Sequence, residues 1–285
     1  MEINWILLTV AVFGLIVQLI AQKTYNLKIG GGAFVFSASS ALFAALFFVI
    51  SSGGRLSFNP WVLLYSLFFA IAYSVSIVGL FLAIKTGPLS LTALITSYSL
   101  LIPTFYGLIA LKEPIKWTLT VGLILLFASL TLINLKKGGK EKKINGKWII
   151  FILLAFLGNG ACSVIQKMQQ ASFAGEYKSE FMIFALITVF TSLAAVALFA
   201  ERSKIKKSLS GWIWFIIWGF ANGTVNLIVM ILTGRMNVSV MFPVISGGEV
   251  VLTFIISRFF YKEKLTRIQD AGFVLGVLAV IMLNI

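Results

Sequence analysis

The sequence predicts an all-α integral membrane protein of ten transmembrane helices, arranged as two inverted five-helix repeats. Three observations carry this. The chain of 285 residues is 60% hydrophobic and only 11% charged, with a mean hydropathy of +1.03, whereas soluble domains are about 45–50% apolar. Apolar runs of roughly 20 residues, the length that crosses a bilayer, recur between short polar breaks. Shifting the chain by 150 residues against itself superposes like residues.

The first run, 3–22, begins at "MEINWILL". That start lacks the basic flank of a signal peptide, and its apolar run is too long for one, so it reads as a retained span. Run 31–52 follows the break "KTYNLKIGGG" and is closed by "GGRLSFNP". Runs 60–83, 88–111 and 115–135 are closed by "KTGP", "KEPIK" and "KKGGKEKKINGK". The second half repeats the rhythm. Runs 147–169, 179–200, 211–233, 238–260 and 265–284 are separated by "AGEYKSE", "ERSKIKKSLSG", "GRMN" and "YKEKLT". Each break clusters Gly, Pro or charge, and none has the length of a soluble domain.

The repeat follows from that rhythm. At the 150-residue shift Lys112-Glu113 falls on Lys262-Glu263, Gly122 on Gly272, Leu125 on Leu275, Asn134 on Asn284 and Lys85 on Arg235. At a shift of 144, Gln22-Lys23 falls on Gln166-Lys167. The halves are therefore residues 1–138 and 139–285. Five spans is an odd number, so the second copy enters the membrane from the opposite side. Inverted repeats of this kind place a solute site near the midplane and support alternating access.

Net charge is +14. In a soluble protein that balance suggests nucleic acid, but here the basic residues sit mainly in the breaks, where topology and lipid head groups account for them. Seventeen of the 23 Lys and Arg residues belong to the loops after spans 1, 3, 5, 7 and 9, and six to the others. The positive-inside rule then puts both termini outside; the expected location is the plasma membrane, as a multi-pass chain. The partners expected are the bilayer and a small-molecule substrate, with no nucleic acid. There is no histidine, Cys162 is the sole cysteine and Asp270 the sole aspartate. A metal-centred or His-based active site therefore has no ligands to build from, and neither an enzyme nor a bound cofactor is expected.

Polar groups within apolar spans usually face a bundle interior or a wet cavity. Several recur at helical spacing, on one face of their span. They are Gly14, Gln18 and Gln22 in span 1; Thr92, Thr96, Ser99, Pro103 and Tyr106 in span 4; and Asn159, Ser163 and Gln166 in span 6. Asn222 and Asn226 follow in span 8, beside Gly219 and Gly223, and Ser246, Glu249 and Thr253 in span 9. Interhelical hydrogen bonding would produce the same pattern. Tyr65, Tyr73, Tyr98 and Tyr106 lie deep enough to stack a planar or cationic solute, or to serve core packing. Trp5, Trp61, Trp117, Trp148 and Trp212 sit near span ends, as an interfacial belt requires. Gly272 and Gly276 form a GxxxG step, which signals close helix contact within a monomer or across a homodimer.

Glu249 lies in the stretch "SGGEVV", about 16 Å into span 9 at 1.5 Å per residue. A charge there costs about 2.5–3.5 kcal/mol to insert. Three roles fit it: a protonated, hydrogen-bonded structural group; a site for substrate, cation or proton in a wet cavity; or one half of a pair with Arg235, Lys167 or another basic group.

Residues 81–135, "FLAIKTGPLSLTALITSYSLLIPTFYGLIALKEPIKWTLTVGLILLFASLTLINL", resemble the end of an EamA domain. The shared pattern is a small-residue turn, a proline within the fourth span (Pro103), a charged "KEP" turn and a glycine in the fifth span (Gly122). Residues 231–285 repeat it. Two such domains resemble the drug/metabolite transporter superfamily. The resemblance implies a central cavity lined by spans 1–4 and 6–9, with spans 5 and 10 at the side, and export of amino acids, metabolites or toxic compounds, often against proton entry. It also implies a Glu-Pro pair 14 residues before the Glu of the following turn. Glu249 stands 14 residues before Glu263, but Val250 follows it and Pro243 lies six residues earlier. The candidate substrate-binding residues are thus Gln18, Tyr73, Thr96, Tyr98, Tyr106, Asn159, Gln166, Asn222, Asn226, Ser246 and Glu249.

Overall fold

A computed structural model describes residues 2–86, 95–96, 98–134, 146–259 and 266–284. Among them there is no strand. The helices are α1 (Glu2–Lys28), α2 (Ala33–Ser51), α3 (Pro60–Thr86), α4 (Leu101–Phe105), α5 (Trp117–Asn134), α6 (Gly146–Ser172), α7 (Lys178–Ala200), α8 (Trp212–Thr233), α9 (Val238–Phe259) and α10 (Arg267–Asn284). A short turn of helix, Ile205–Leu209, precedes α8. Among the described residues six helical segments are long and apolar enough to cross a membrane: Ile3–Asn26, Ala33–Ser51, Pro60–Leu80, Gly146–Ser172, Lys178–Ala200 and Trp212–Thr233. Leu101–Ala110 and Trp117–Leu132 are shorter apolar helices.

The fourth apolar run does not form one uniform helix. Tyr98–Leu100 is a 3-10 turn, Leu101–Phe105 is α-helical, and Tyr106–Ala110 is a π-turn. Pro103 explains the change of register, because it lacks an N–H and disfavours α-helical geometry in the residue before it. The π-turn closes with Leu111 N–H on Tyr106 O at 3.2 Å, and Lys112 then takes φ +52°. Thr92, Glu263 and the side chain of Thr253 lie outside the described residues.

The chain forms two compact units, each drawing on both halves of the sequence. One comprises Met1–Val12, Val75–Val164 and Arg235–Ile285. Within it α5 packs against α10, and α9 against α10 and α4. Glycines allow the α5–α10 approach: a Cβ on Gly122 would stand 2.8 Å from Leu283 Cγ, and one on Gly276 2.7 Å from Ser129 Oγ. Ser129 Oγ donates to Gly272 O at 2.6 Å. The GxxxG step of α10 therefore serves the monomer, by seating α5. In the same unit Ala83, Trp148 and Ile152 form a buried cluster. Trp148 thus departs from the expected interfacial belt, being 4% exposed, while Trp61, Trp117 and Trp212 are 68%, 70% and 57% exposed.

The other unit comprises Phe13–Ser74 and Ile165–Gly234. Here α2 packs on both α7 and α8. Gly219 lets α8 approach α2 so closely that an added Cβ would be 2.7 Å from Ser40 O. Tyr25, Phe36 and Phe215 form its aromatic core, with ring centroids 4.7–5.6 Å apart. Large apolar side chains such as Ile50 and Phe199 stand exposed, as lipid-facing positions do.

Candidate functional site

In the unit that holds α2, α7 and α8, four candidate residues join in one hydrogen-bonded chain. Gln166 Nε2 on α6 donates to Asn226 Oδ1 on α8 at 2.9 Å. Asn226 Nδ2 donates to Asn222 Oδ1 at 3.1 Å and to Asn222 O at 2.9 Å. Asn222 Nδ2 donates to Gln18 Oε1 on α1 at 3.0 Å, and Gln18 Nε2 reaches Gly14 O at 3.4 Å. The four-residue spacing of Asn222 and Asn226 places them one turn apart, so a single face of α8 bridges α6 and α1. Gln18, Gln166 and Asn222 are buried, as paired polar groups can be. A Cβ on Gly14 would meet Val225 Cγ2 at 2.5 Å, so a bare glycine lets α1 lie close enough for the amides to touch. Tyr73, also in this unit, stacks on Phe69 with centroids 5.7 Å apart and planes 14° from parallel.

The remaining candidates lie in the other unit. Glu249 is the half-buried midpoint of α9, and among the described residues no hydrogen bond or ion pair reaches it. Gly248, beside it, lies so close to α1 that a Cβ would stand 3.0 Å from Val12 Cγ2. Ser246 and Tyr106 are half-buried, as is Thr96. Asn159 Nδ2 on α6 donates to Ser99 Oγ at 2.6 Å. Tyr98 turns to α5, where its hydroxyl pairs with Thr131 Oγ1 and lies 3.4 Å from Phe127 O. Its ring packs on Phe127. Tyr98 therefore ties the fourth run to α5. Lys167, weighed as a partner for Glu249, donates instead to Thr233 O at 2.5 Å, at the carbonyl end of α8, where a cation is favoured.

Three carboxylates that sequence reasoning left in the breaks have structural tasks. Glu201 takes the N–H groups of Ala33, Phe34 and Val35 at 2.9, 3.0 and 3.1 Å, capping α2 from a distant loop. Glu113 takes those of Val238 and Ser239 at 3.0 and 2.9 Å, capping α9. Glu180 Oε1 takes the N–H of Ser57 at 2.9 Å. Helix N-termini carry unpaired N–H groups and a partial positive charge, which a carboxylate satisfies together. No local signal marks such caps, because donor and acceptor lie in different parts of the chain. Among the described residues no group of three His, Cys, Asp or Glu side chains could hold a metal ion.

Residues 146–285 match the model of the EamA-like transporter family. No curated protein matches the chain. Among solved structures it is similar to one described only as a crystal structure of a protein. That likeness has 13% identity and a TM-score of 0.81, and covers 99% of this chain and 96% of that one. At that identity the likeness speaks for the fold alone. The α6–α10 half of the chain is thus an EamA-like transporter family domain.

Proposed function

We propose that the protein is a secondary active transporter of the drug/metabolite type, which exports a small organic solute across the plasma membrane by alternating access. In this reading the chain makes ten spans in two inverted repeats, residues 1–138 and 139–285, with both termini outside. The family match supports membrane transport, and the coincidences at the 150-residue shift support the repeat.

The observation that carries the reading is Glu249. A carboxylate at the midpoint of an apolar helix, with no partner among the described residues, is a costly feature to keep without a use. Intramembrane ionisable groups of this kind mark solute, ion or proton pathways. Glu249 is assigned the coupling role, taking up a proton in one state and releasing it in exchange for solute in the other. The same free carboxylate favours a second reading, a multidrug-like exporter of cationic compounds, in which the cation and the proton compete for Glu249.

Reconstitution in liposomes tests both. Wild-type protein should move members of a panel of amino acids, nucleobases and organic cations under a pH gradient. Glu249→Gln should abolish coupled movement while the purified protein keeps its helical content. Normal coupled export by Glu249→Gln would sink the role given to that residue. Absence of any gradient-dependent flux across the panel would sink the transporter reading.

A further inference from the structure

We propose that Gln166 and Gln170, one turn apart on α6, form an acceptor site for a small solute that carries two N–H or O–H donors. The assignment rests on the reading that the chain handles a small solute, but it places a recognition site apart from Glu249.

Both glutamines are 3% exposed. Each spends its amide N–H within the protein: Gln166 Nε2 on Asn226 Oδ1, and Gln170 Nε2 on Gln169 Oε1. Their carbonyl oxygens are different. Among the described residues Gln166 Oε1 receives no hydrogen bond, and Gln170 Oε1 is buried without a partner. Buried polar atoms are nearly always paired, so the Gln170 carbonyl calls for an occupant. The open Gln166 carbonyl one turn away offers that occupant a second acceptor. Residues four apart on a helix have Cβ atoms roughly 5–6 Å apart, close enough for one small occupant to reach both side chains.

The donors in this part of the unit point elsewhere. Gln169 Nε2 donates to Glu176 O at 3.1 Å. Lys178 Nζ donates to Gly175 O, and Lys167 Nζ to Thr233 O. Tyr65 Oη and Ser172 Oγ pair with each other at 2.8 Å. What remains at the two glutamines themselves is a pair of carbonyl acceptors.

The amide chain adds direction. From Gln166 every bond runs donor to acceptor through Asn226, Asn222 and Gln18 to Gly14 O. A donor arriving at Gln166 Oε1 would polarise that amide and strengthen each bond behind it, whereas an acceptor would find nothing to accept from on that oxygen.

An approach exists at the far end. A cavity of about 460 Å³ is lined by Ser52, Arg55, Ser57, Gly175, Tyr177 and Lys178, among others, within the size range of small-molecule sites. A Cβ on Gly175 would stand 3.9 Å from Gln170 Oε1, so this residue both lines the cavity and lies over the unpaired carbonyl.

The test is calorimetric titration of the purified full-length protein with two probe pairs. One is a four-carbon diol and its dimethyl ether; the other is a four-carbon diamine and its fully N-methylated counterpart of equal charge. Donor-bearing members of at least one pair should bind, and their capped counterparts should bind about tenfold more weakly or not at all. Gln166→Leu and Gln170→Leu should weaken the donor probe by about tenfold, with Gln166→Met as the shape-conserving alternative if a leucine variant misfolds. The wild-type comparison needs no variant. Equal binding of capped and uncapped members, no binding by any probe, or variants that bind as the parent does would each overturn the proposal. Donor-selective binding without flux in liposomes would leave this site standing and remove the transporter reading. Flux without donor-selective binding would do the reverse.

Discussion

Replacing Glu201 by alanine removes one carboxylate from three backbone N–H groups at once. Glu201 is 7% exposed and its oxygens lie 2.9–3.1 Å from the N–H groups of Ala33, Phe34 and Val35. Loss of a single N-cap costs about 0.5–2 kcal/mol. Loss of a charge favourably placed at a helix N-terminus costs up to about 2 kcal/mol more. The three bonds share one group, so their contributions are not tripled, and Glu201→Ala should destabilise by about 3 kcal/mol. Glu201→Gln keeps one acceptor oxygen but turns an NH₂ toward the N–H groups, and should cost roughly 2 kcal/mol. Gly32 supplies the internal control. A Cβ there would fall 2.1 Å from Glu201 Oε2 and 2.6 Å from its Cδ. Gly32→Ala should therefore displace the carboxylate and cost about 1–3 kcal/mol on its own. In the Glu201→Ala background the same methyl meets no carboxylate. The double variant should then be more stable than the sum of the single losses by at least about 1 kcal/mol. Denaturant unfolding in mixed micelles, followed by far-UV circular dichroism, measures the parent and all four variants. A Glu201→Ala protein within about 0.5 kcal/mol of the parent, or additive losses, would refute the reasoning.

Two further outcomes follow from the same geometry. Glu113→Ala frees the N–H groups of Val238 and Ser239, so it should cost about 1–2 kcal/mol and raise hydrogen exchange at those two amides; unchanged protection there would count against the cap. Gly219→Val drives a side chain into Ser40 O and Phe43 Cβ, which a Cβ alone would approach to 2.7 and 2.6 Å. It should cost about 1–3 kcal/mol in thermal unfolding, whereas Gly234→Ala, with only Ile231 O at 3.5 Å, should stay within about 0.5 kcal/mol.

The amide residues were legible in the sequence because helical spacing and an apolar background single them out. Gln18, Gln166, Asn222 and Asn226 do meet. Their donor-to-acceptor order was not legible, since each amide can face either way until its neighbours are placed. Tyr98 illustrates a second limit: a stripe shows that residues share a face but not which neighbour that face meets, and here it meets α5. Trp148 illustrates a third, because nearness to a span end says nothing about a neighbouring helix that covers it. The caps lay furthest out of reach. Glu201 and Ala33 are 168 residues apart, and Glu113 and Val238 are 125 apart, so each carboxylate reads locally as one more polar residue in a break. Gln170, adjacent to Gln169 in the same glutamine-rich segment, was visible as a residue type, but its unpaired carbonyl depends on where Gln169 and the turn at 173–175 lie.

Synthesis imposes an order on these contacts. The first turn of α2 emerges early, yet the carboxylate that takes its N–H groups belongs to residue 201. Glu113 waits for residues 238 and 239, and Ser129 waits for Gly272, near the end of the chain. A nascent chain that has inserted only its first half therefore holds a helix start, a carboxylate and a glycine seam whose counterparts have not been translated. Neither compact unit can close from one half alone, since both contain segments from each. Assembly therefore waits on the second half of the chain: a message cut short before residue 165 leaves both units open, one cut just after residue 234 leaves unfinished only the unit that holds α9 and α10, and two halves expressed as separate chains must find each other before either unit is complete.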